Sequence, residues 1–444
     1  MNHSDSDITL DHSPMTAFQI GAVLICMVLN LIDGFDVLAI AFAAPSLSKD
    51  WNLAPDALGA LFSAGLAGMT IGSMAVAPLA DRWGRRSMTL MTLGLVSVGM
   101  LSSAISGNSG QLAAARMLTG LGIGAMLPSI NTLVSEYASV RRRELSLSVM
   151  ATGYPIGATL GGIAAIMISS RFGWRGIFVF GGALSTLMIP LVLWRLPESL
   201  DFLLTKRPTG ALDSANLLLR RLGRAELKAL PEIAIVERKS GLRDIVSGGL
   251  LPPTLMLWAA FFCVMFSFYF VVSWTPKLLV QAGLPMGSGI SGGVLLNMGG
   301  ICGTLLLGAL SARLGIFRLH TIALVASAIT IAGFGVVSGS LQAALTVAVL
   351  VGFFLFTAMV GLYVITPSIY PTAVRNTGTG LAIGVGRIGA ILSPYLAGVL
   401  LSSGWQPSDA YMVFSVPMLM AAAAVMMLAR QRRAATSSVL APNV

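Results

Sequence analysis

Charge is what this sequence has least of. Only 10% of its 444 residues are Asp, Glu, Lys or Arg, against about 25% in soluble domains. With 55% hydrophobic residues and a mean hydropathy of +0.84, a soluble globular chain is excluded. Cysteine is scarce as well. Cys26, Cys263 and Cys302 fall in apolar runs with no C-x-x-C spacing, so they read as core residues rather than a disulfide framework or a thiolate site. The three histidines, His3, His12 and His320, lie in the N-terminal stretch or at the end of an apolar run. Without a metal-ligand cluster, a Ser/His pair or a G-x-S-x-G element, no metal, cofactor or enzymatic activity is expected. Residues 1–16 hold Asp5, Asp7 and Asp11 but no Lys or Arg, which argues against a cleaved signal peptide and for a first helix that stays attached.

What the chain does have is apolar length. Twelve segments are centred near Leu31, Leu66, Val96, Ile123, Leu160, Leu184, Phe262, Gly299, Ile329, Phe353, Leu392 and Met420, each long enough to cross a bilayer as a helix. The expected fold is an all-α polytopic membrane protein with twelve transmembrane helices. Connectors such as 106–110, 338–341 and 402–408 are short and rich in turn residues. Residues 197–249 differ, with nine Lys/Arg against seven Asp/Glu and an amphipathic piece at 211–222. This divides the chain into a tail (1–17), a six-helix bundle (18–196), a central loop (197–249), a second six-helix bundle (250–430) and a second tail (431–444). The net charge of +10 does not point to nucleic acid, because the basic residues cluster between apolar runs, where they set topology. If the N-terminus is cytoplasmic, 22 Lys/Arg lie on the inner side and four on the outer, and without the central loop the ratio is still 13 to four. Both termini are therefore expected inside a cytoplasmic membrane.

Two carboxylates break the first apolar run, in Leu31-Ile32-Asp33-Gly34-Phe35-Asp36. Each would cost about 2.5–3.5 kcal/mol at a helix centre facing lipid, or about 5–7 kcal/mol for the pair. Spaced i, i+3, they share one face, so a single polar cavity can receive both. A proton or ion site is the functional reading, and a structural pair answered by nearby donors is the other. Gly34 lets a neighbouring helix or a ligand approach the backbone. Arg116 stands about 9 Å into the fourth helix and Asp36 about 13 Å from the outer end of the first, so the guanidinium either holds the aspartate ionised or bonds only main-chain carbonyls. Glu136, at the inner end of the fourth helix, is either a proton carrier or an interfacial ion-pair member.

An internal repeat supports the six-plus-six division. Ala77-Pro-Leu-Ala-Asp81-Arg82-Trp-Gly84 recurs as Gly308-Ala-Leu-Ser-Ala312-Arg313-Leu-Gly315, offset by 231 residues, and Tyr137-x4-Arg142 recurs as Tyr370-x4-Arg375, offset by 233. Two bundles related by an axis along the membrane normal, with a site near the midplane, follow by analogy.

Asp81-Arg82-x-Gly84-Arg85-Arg86 resembles the loop signature of the major facilitator superfamily, and Arg116-x3-Gly120-x-Gly122-x-Gly124 resembles its fourth-helix motif. Asp33-Gly34-Phe35-Asp36 is similar to the D-G-x-D motif of the aromatic acid:proton symporter family, and the likeness extends to Gly173-Trp174-Arg175, Trp274-x-Pro276 and Gly386-Arg387-x-Gly389. The loop signature departs from the family pattern at Ala77, and its second copy has Ala312 in place of the acid. The resemblance implies the major facilitator fold and the import of benzoate- or hydroxybenzoate-like carboxylates with protons as coupling ion, by a monomer whose partners are substrate, protons and lipid bilayer. It also implies a gating role for Asp81, Arg82, Gly84, Arg85 and Arg86, where acid–base pairs latch the bundles or merely anchor the loop. A proton-driven exporter is the alternative within transport. A membrane receptor is the alternative in another class, but the central loop is too short for a signalling module.

Substrate contacts follow from charge. Arg387 lies twelve residues beyond Arg375 in the eleventh segment, about 18 Å deep, and no acidic residue is expected in the second half's helices to neutralise it. A substrate carboxylate can pair with it in a bidentate fork, or it can pair with Asp33 or Asp36. Its repeat counterpart is Tyr154. Phe35, Tyr154 and Tyr363, with Tyr269, Phe270 and Trp274, offer rings for stacking, or else serve packing and interfacial anchoring, Trp274 being the clearest anchor. Asn131 and Asn297 can bond a ring hydroxyl or a neighbouring helix.

Overall fold

The computed structural model describes residues 15–222, 224, 226–230, 250–337, 340–371 and 374–440. Most of the expected N-terminal tail, residues 231–249 of the central loop and the last four residues lie outside that set. All regular structure among the described residues is helical, as a chain in hydrocarbon requires when each backbone N–H and C=O must find its partner within its own segment.

In chain order the helices are α1 (Ala17–Asp50), α2 (Pro55–Trp83), α3 (Arg85–Ile105) and α4 (Ser109–Tyr137), followed by one 53-residue run, Arg143–Arg195. α2 passes through a π turn at Gly72–Val76 and a 3-10 turn at Ala77–Leu79 on its way to Trp83. At 1.5 Å per residue the long run would extend about 80 Å, more than twice the bilayer core. It breaks at Gly173, whose φ of 65° and ψ of −168° interrupt the helix, giving α5 (143–172) and α6 (174–195). Two short helices of the central loop follow, α7 (Leu200–Lys206) and α8 (Ala211–Arg221). The amphipathic reading of 211–222 agrees with α8, whose Leu218, with Leu222 just beyond its end, packs into a cluster with Ala22, Cys26 and Val134. The second half consists of α9 (Leu251–Gln281), α10 (Met286–Leu314), α11 (Ile316–Val337), α12 (Leu341–Ile365), α13 (Arg375–Ser402) and α14 (Pro407–Leu440). Among the described residues, eleven helical runs are long and apolar enough to cross a membrane, the broken run counting as one.

Packing divides the described chain into two units. The first holds residues up to 39, 67–161 and those from 175 into the central loop; the second holds 40–66, 162–174 and the chain after that loop. Within each, two helices cross at glycines pressed on opposing carbonyls. In the first unit a Cβ on Gly68 or Gly72 of α2 would stand 2.1 Å from Met117 O or 2.2 Å from Leu121 O, and one on Gly124 of α4 would stand 2.0 Å from Met69 O. In the second unit a Cβ on Gly299 or Gly303 of α10 would meet Val349 O or Phe353 O at 2.0 or 2.1 Å, and one on Gly352 of α12 would meet Leu296 O at 1.8 Å. Gly68 and Gly72 are separated from Gly299 and Gly303 by 231 residues, the offset of the loop motif. The repeat is thus a repeat of packing, because a close crossing tolerates no Cβ at these points.

The C-terminal end of α1 and the N-terminal part of α2, residues 40–66, belong to the second unit. Ser63 Oγ of α2 donates to the Ile391 carbonyl of α13 at 2.6 Å. Ser402 Oγ accepts from the Asp56 amide at 3.0 Å and donates to Asp56 Oδ1 at 3.1 Å. Between these bonds a Cβ on Gly59 would stand 2.5 Å from Pro394 O, and one on Gly398 would stand 2.5 Å from Pro55 O. Trp274, expected at the lipid interface, is instead 1% exposed, donating its Nε1–H to Pro394 O at 3.1 Å and meeting Phe62 edge-on. Pro394 has no N–H to give and loosens the helix around it, and the Trp274 indole bonds the carbonyl of Pro394 itself. Cys302 is also a correction, since it is exposed whereas Cys26 and Cys263 are buried. So is the expectation that no acid lies in the second half's helices, because Asp409 sits in the first turn of α14.

The α2–α13 crossing gives the first prediction. Gly398→Leu should force these ends of the two helices apart, so that a cysteine placed at Leu66, now 6% exposed, reacts at least about tenfold faster with a water-soluble thiol reagent. Unchanged reactivity would show that closure does not depend on this close approach.

Candidate functional site

In the first unit the charged residues of α1 and α4 converge. Asp33, Asp36 and Arg116 are 2%, 0% and 2% exposed. Gly34 between the aspartates faces α5, where its Cβ would stand 2.0 Å from Tyr154 O, so of its two expected roles this one is helix approach. Arg116 Nη2 donates at 2.8 Å to the main-chain carbonyl of Asp36, not to its carboxylate. Nη1 meets Met100 Sδ at 3.0 Å, and the guanidinium carbon lies 5.5 Å from the centre of the Phe178 ring. Asp36 Oδ2 accepts the Ser185 hydroxyl at 3.3 Å. Asp33 Oδ1, Asp36 Oδ1 and Arg116 Nε are buried with no hydrogen-bond partner among the described residues. Leaving such polar atoms buried without partners is costly.

Residues near this cluster divide by placement. Phe35 fills a notch made by two glycines: a Cβ on Gly161 or on Gly181 would stand 2.2 or 2.8 Å from its ring atoms, and Phe180 meets it edge-on at 5.5 Å. At 2% exposure it packs helices rather than offering a ring face. Tyr154 is half-buried on α5. Asn131 donates to Leu127 O of its own helix at 3.0 Å. Asn30, not singled out from sequence, joins α1 to α5 by donating to Met150 O at 2.9 Å.

The loop between α2 and α3 forms its own network. Arg85 Nη2 pairs with Asp81 Oδ1 at 2.9 Å and Arg85 Nε with Glu136 Oε1 at 4.0 Å, while Ser199 donates its hydroxyl to Glu136 Oε2. This geometry favours the ion-pair reading of Glu136. Arg82 is exposed, and Arg86 donates through Nη2 to Leu193 O at 2.6 Å. Glu198, which the sequence did not mark, accepts the Arg86 amide on Oε1 at 3.0 Å, placing a carboxylate at the positive end of α3. Gly84, at φ 94°, leaves the space that Glu198 occupies, since a Cβ there would stand 2.2 Å from Glu198 Oε2.

In the second unit Arg387 is half-buried on α13, with Nε and Nη1 enclosed and unpartnered among the described residues. It stands close enough to the Tyr363 phenol for its charge to act there, and the Tyr363 ring meets Phe261 edge-on at 5.6 Å. Gly380, Gly384, Arg387, Ile391, Pro394, Gly398 and Ser402 fall on one stripe of α13 by their three- and four-residue steps. From Ile391 to Ser402 that stripe is closed by α2. Toward the start of α13, a Cβ on Gly384 or Gly380 would meet nothing within 4 Å, so Arg387 stands where the closed part of the stripe gives way to open space. Asn297 donates to Gly293 O at 2.8 Å and keeps a buried Oδ1 with no partner among the described residues.

The family model of the Major Facilitator Superfamily matches residues 26–394. The chain is 32% identical to the gallate transporter of Pseudomonas putida over 434 residues, 98% of this chain and 97% of that one. It is 30% identical to the 4-hydroxybenzoate transporter PcaK of Pseudomonas aeruginosa, with 94% of each covered. Among solved structures it is similar to the D-xylose-proton symporter, with a TM-score of 0.72 at 16% identity over 93% of this chain and 97% of that one. At that identity the likeness establishes the fold.

Replacing Glu198 should separate its capping role from transport chemistry. Glu198→Ala is expected to lose about 1 kcal/mol, read as a lower melting temperature in detergent, and Glu198→Gln, which keeps an acceptor, should recover part of it. Equal melting temperatures for all three proteins would refute the capping role.

Proposed function

Because the chain belongs to the major facilitator superfamily, we propose that it imports small aromatic carboxylates of the benzoate and hydroxybenzoate class together with protons, by alternating access across a cytoplasmic membrane. In this reading the chain crosses the bilayer twelve times in two six-helix bundles, with both termini inside, and acts as a monomer without a cofactor. Gallate and 4-hydroxybenzoate, named for the two relatives, are both ring carboxylates bearing hydroxyls. The observation that carries the reading is Arg387, an always-charged group with two enclosed nitrogens, unpartnered among the described residues.

An aromatic acid supplies what that environment lacks. Its carboxylate pairs with the guanidinium fork, its ring lies against Tyr363, and a ring hydroxyl can donate to Asn297 Oδ1. Tyr154, the repeat counterpart of Arg387, offers a second phenol from the first half, with Asn131 as a further polar contact. Proton coupling falls to Asp33 and Asp36, with Arg116 holding the backbone of the pair in place. In the loop, Asp81, Arg82, Gly84, Arg85 and Arg86 gate the inner side together with Glu136. Binding a proton removes the charge that most opposes burial of an aspartate, so the loaded carrier reorients more readily than one holding a bare carboxylate.

Two measurements test this. Arg387→Lys keeps the charge but loses the fork, so apparent affinity for 4-hydroxybenzoate should fall about tenfold or more, and 4-hydroxybenzamide should bind the wild type poorly. Equal binding of acid and amide, or unchanged affinity in Arg387→Lys, would remove Arg387 from the substrate site. Separately, Asp33→Asn or Asp36→Asn should abolish accumulation against a gradient while sparing some exchange. Full accumulation by both variants would rule out coupling through the pair.

A further inference from the structure

The Asp36 carboxylate is supported from α6 by two residues one turn apart. Ser185, 0% exposed, donates its hydroxyl to Oδ2. Gly181, four residues earlier and on the same face, lies beside the other oxygen. A Cβ there would stand 2.7 Å from Asp36 Oδ1, 2.3 Å from Met100 Cε and 2.8 Å from Phe35 Cε1. Met100 in turn places its sulfur on Arg116 Nη1. One carboxylate oxygen is therefore held by a hydroxyl, and the other occupies room that exists only because residue 181 has no side chain. Asp33 has no hydrogen-bond donor of this kind on Oδ1 among the described residues. Among the described residues, the charged groups that act on Asp36 or its partner carboxylate are Asp33 from its own helix and Arg116 from α4; α3 brings Met100 against Arg116, α5 packs Gly161 on the neighbouring Phe35 and the Tyr154 main chain on Gly34, and α6 brings Ser185 and Gly181.

We infer that Ser185 and Gly181 are positioning residues for proton coupling, and that they make Asp36 the tuned member of the aspartate pair. Ser185 fixes the carboxylate by its Oδ2 and favours its ionised form, as a hydroxyl donor does. Gly181 leaves Oδ1 free to take a proton and the carboxylate free to turn when it does. The inference rests on the coupling role proposed for Asp36 and assigns a function to two residues of α6 that act through its carboxylate.

The test uses the full chain in proteoliposomes, with labelled 4-hydroxybenzoate followed both as pH-driven uptake and as exchange at equal pH on both sides. Ser185→Ala should carry half-maximal uptake to a pH about one unit higher, with the exchange KM within about twofold of wild type, and Ser185→Thr should restore the midpoint. Ser185→Cys, a weaker donor of similar size, should fall between, and it decides the matter if the alanine variant does not reach the membrane. Gly181→Ala should cut accumulation about tenfold while exchange persists. A wild-type midpoint in both Ser185→Ala and Ser185→Cys, or equal loss of accumulation and exchange in Gly181→Ala, overturns the inference. If Asp36→Asn abolishes accumulation and those results are also obtained, only the positioning role fails. If Asp36→Asn accumulates normally, the coupling role itself fails.

Discussion

A charged side chain withdrawn into hydrocarbon must be answered by a partner, a proton or a ligand, and this constraint orders the whole protein. The penalty is several kcal/mol per group, so the chain keeps such groups few and gives each a distinct neighbourhood. Arg116 is answered by a carbonyl, a thioether and an aromatic face. Asp36 is answered by the charge of Arg116 and by one hydroxyl. Arg387 has two nitrogens that nothing among the described residues answers. The less a buried charge is satisfied by the protein, the more its state must depend on something that comes and goes.

The helix framework exists to hold those groups at fixed depth. Without a hydrophobic force between helices in lipid, close backbone approach and dispersion do the holding. Gly34 against Tyr154 brings α1 and α5 together at the aspartate pair. Gly124 against Met69 brings α4 to α2, about two turns along the helix from Arg116. The same device recurs in the second half at an offset of 231 residues. Duplication of packing, with divergence of the polar residues it carries, accounts for halves that are alike in frame and unlike in chemistry.

Much of this was legible in the sequence, for a physical reason. Asp33, Asp36, Arg116 and Arg387 stand out because a charge in an apolar run is conspicuous wherever the helix packs. The duplicated loop motif is a linear pattern, and so is the amphipathic stretch that became α8. Ser185, Gly181, Met100 and Glu198 were not legible. Serine, glycine and methionine are ordinary in membrane helices, and only tertiary placement sets one beside Asp36 and another on Arg116. Phe35 and Trp274 misled in the opposite sense, since an aromatic near a polar motif or a helix end suggests a ligand or an interface, whereas facing glycines and a proline carbonyl drew them into packing. Asp409 was overlooked because it sits at a helix end, where water spares a carboxylate the cost paid at the centre.

The two halves also divide the electrical work. Asp33 and Asp36 lie in the first half, whereas after Asp244 the sequence holds a single carboxylate, Asp409, among its basic residues. A carrier that moved an aromatic anion alone into a negatively charged interior would oppose the membrane potential by about 2.3 kcal/mol per elementary charge per 100 mV. Under the proposed function, a proton taken up on the aspartate pair would cancel the charge of a carboxylate bound at Arg387, and the potential would then exert no net force on that exchange of partners. Each fixed charge would thereby be matched in turn: the guanidinium by the substrate, the aspartate by the proton. On that proposal, coupling would rest on a shared constraint, that neither half be left with an unanswered charge while the carrier changes state.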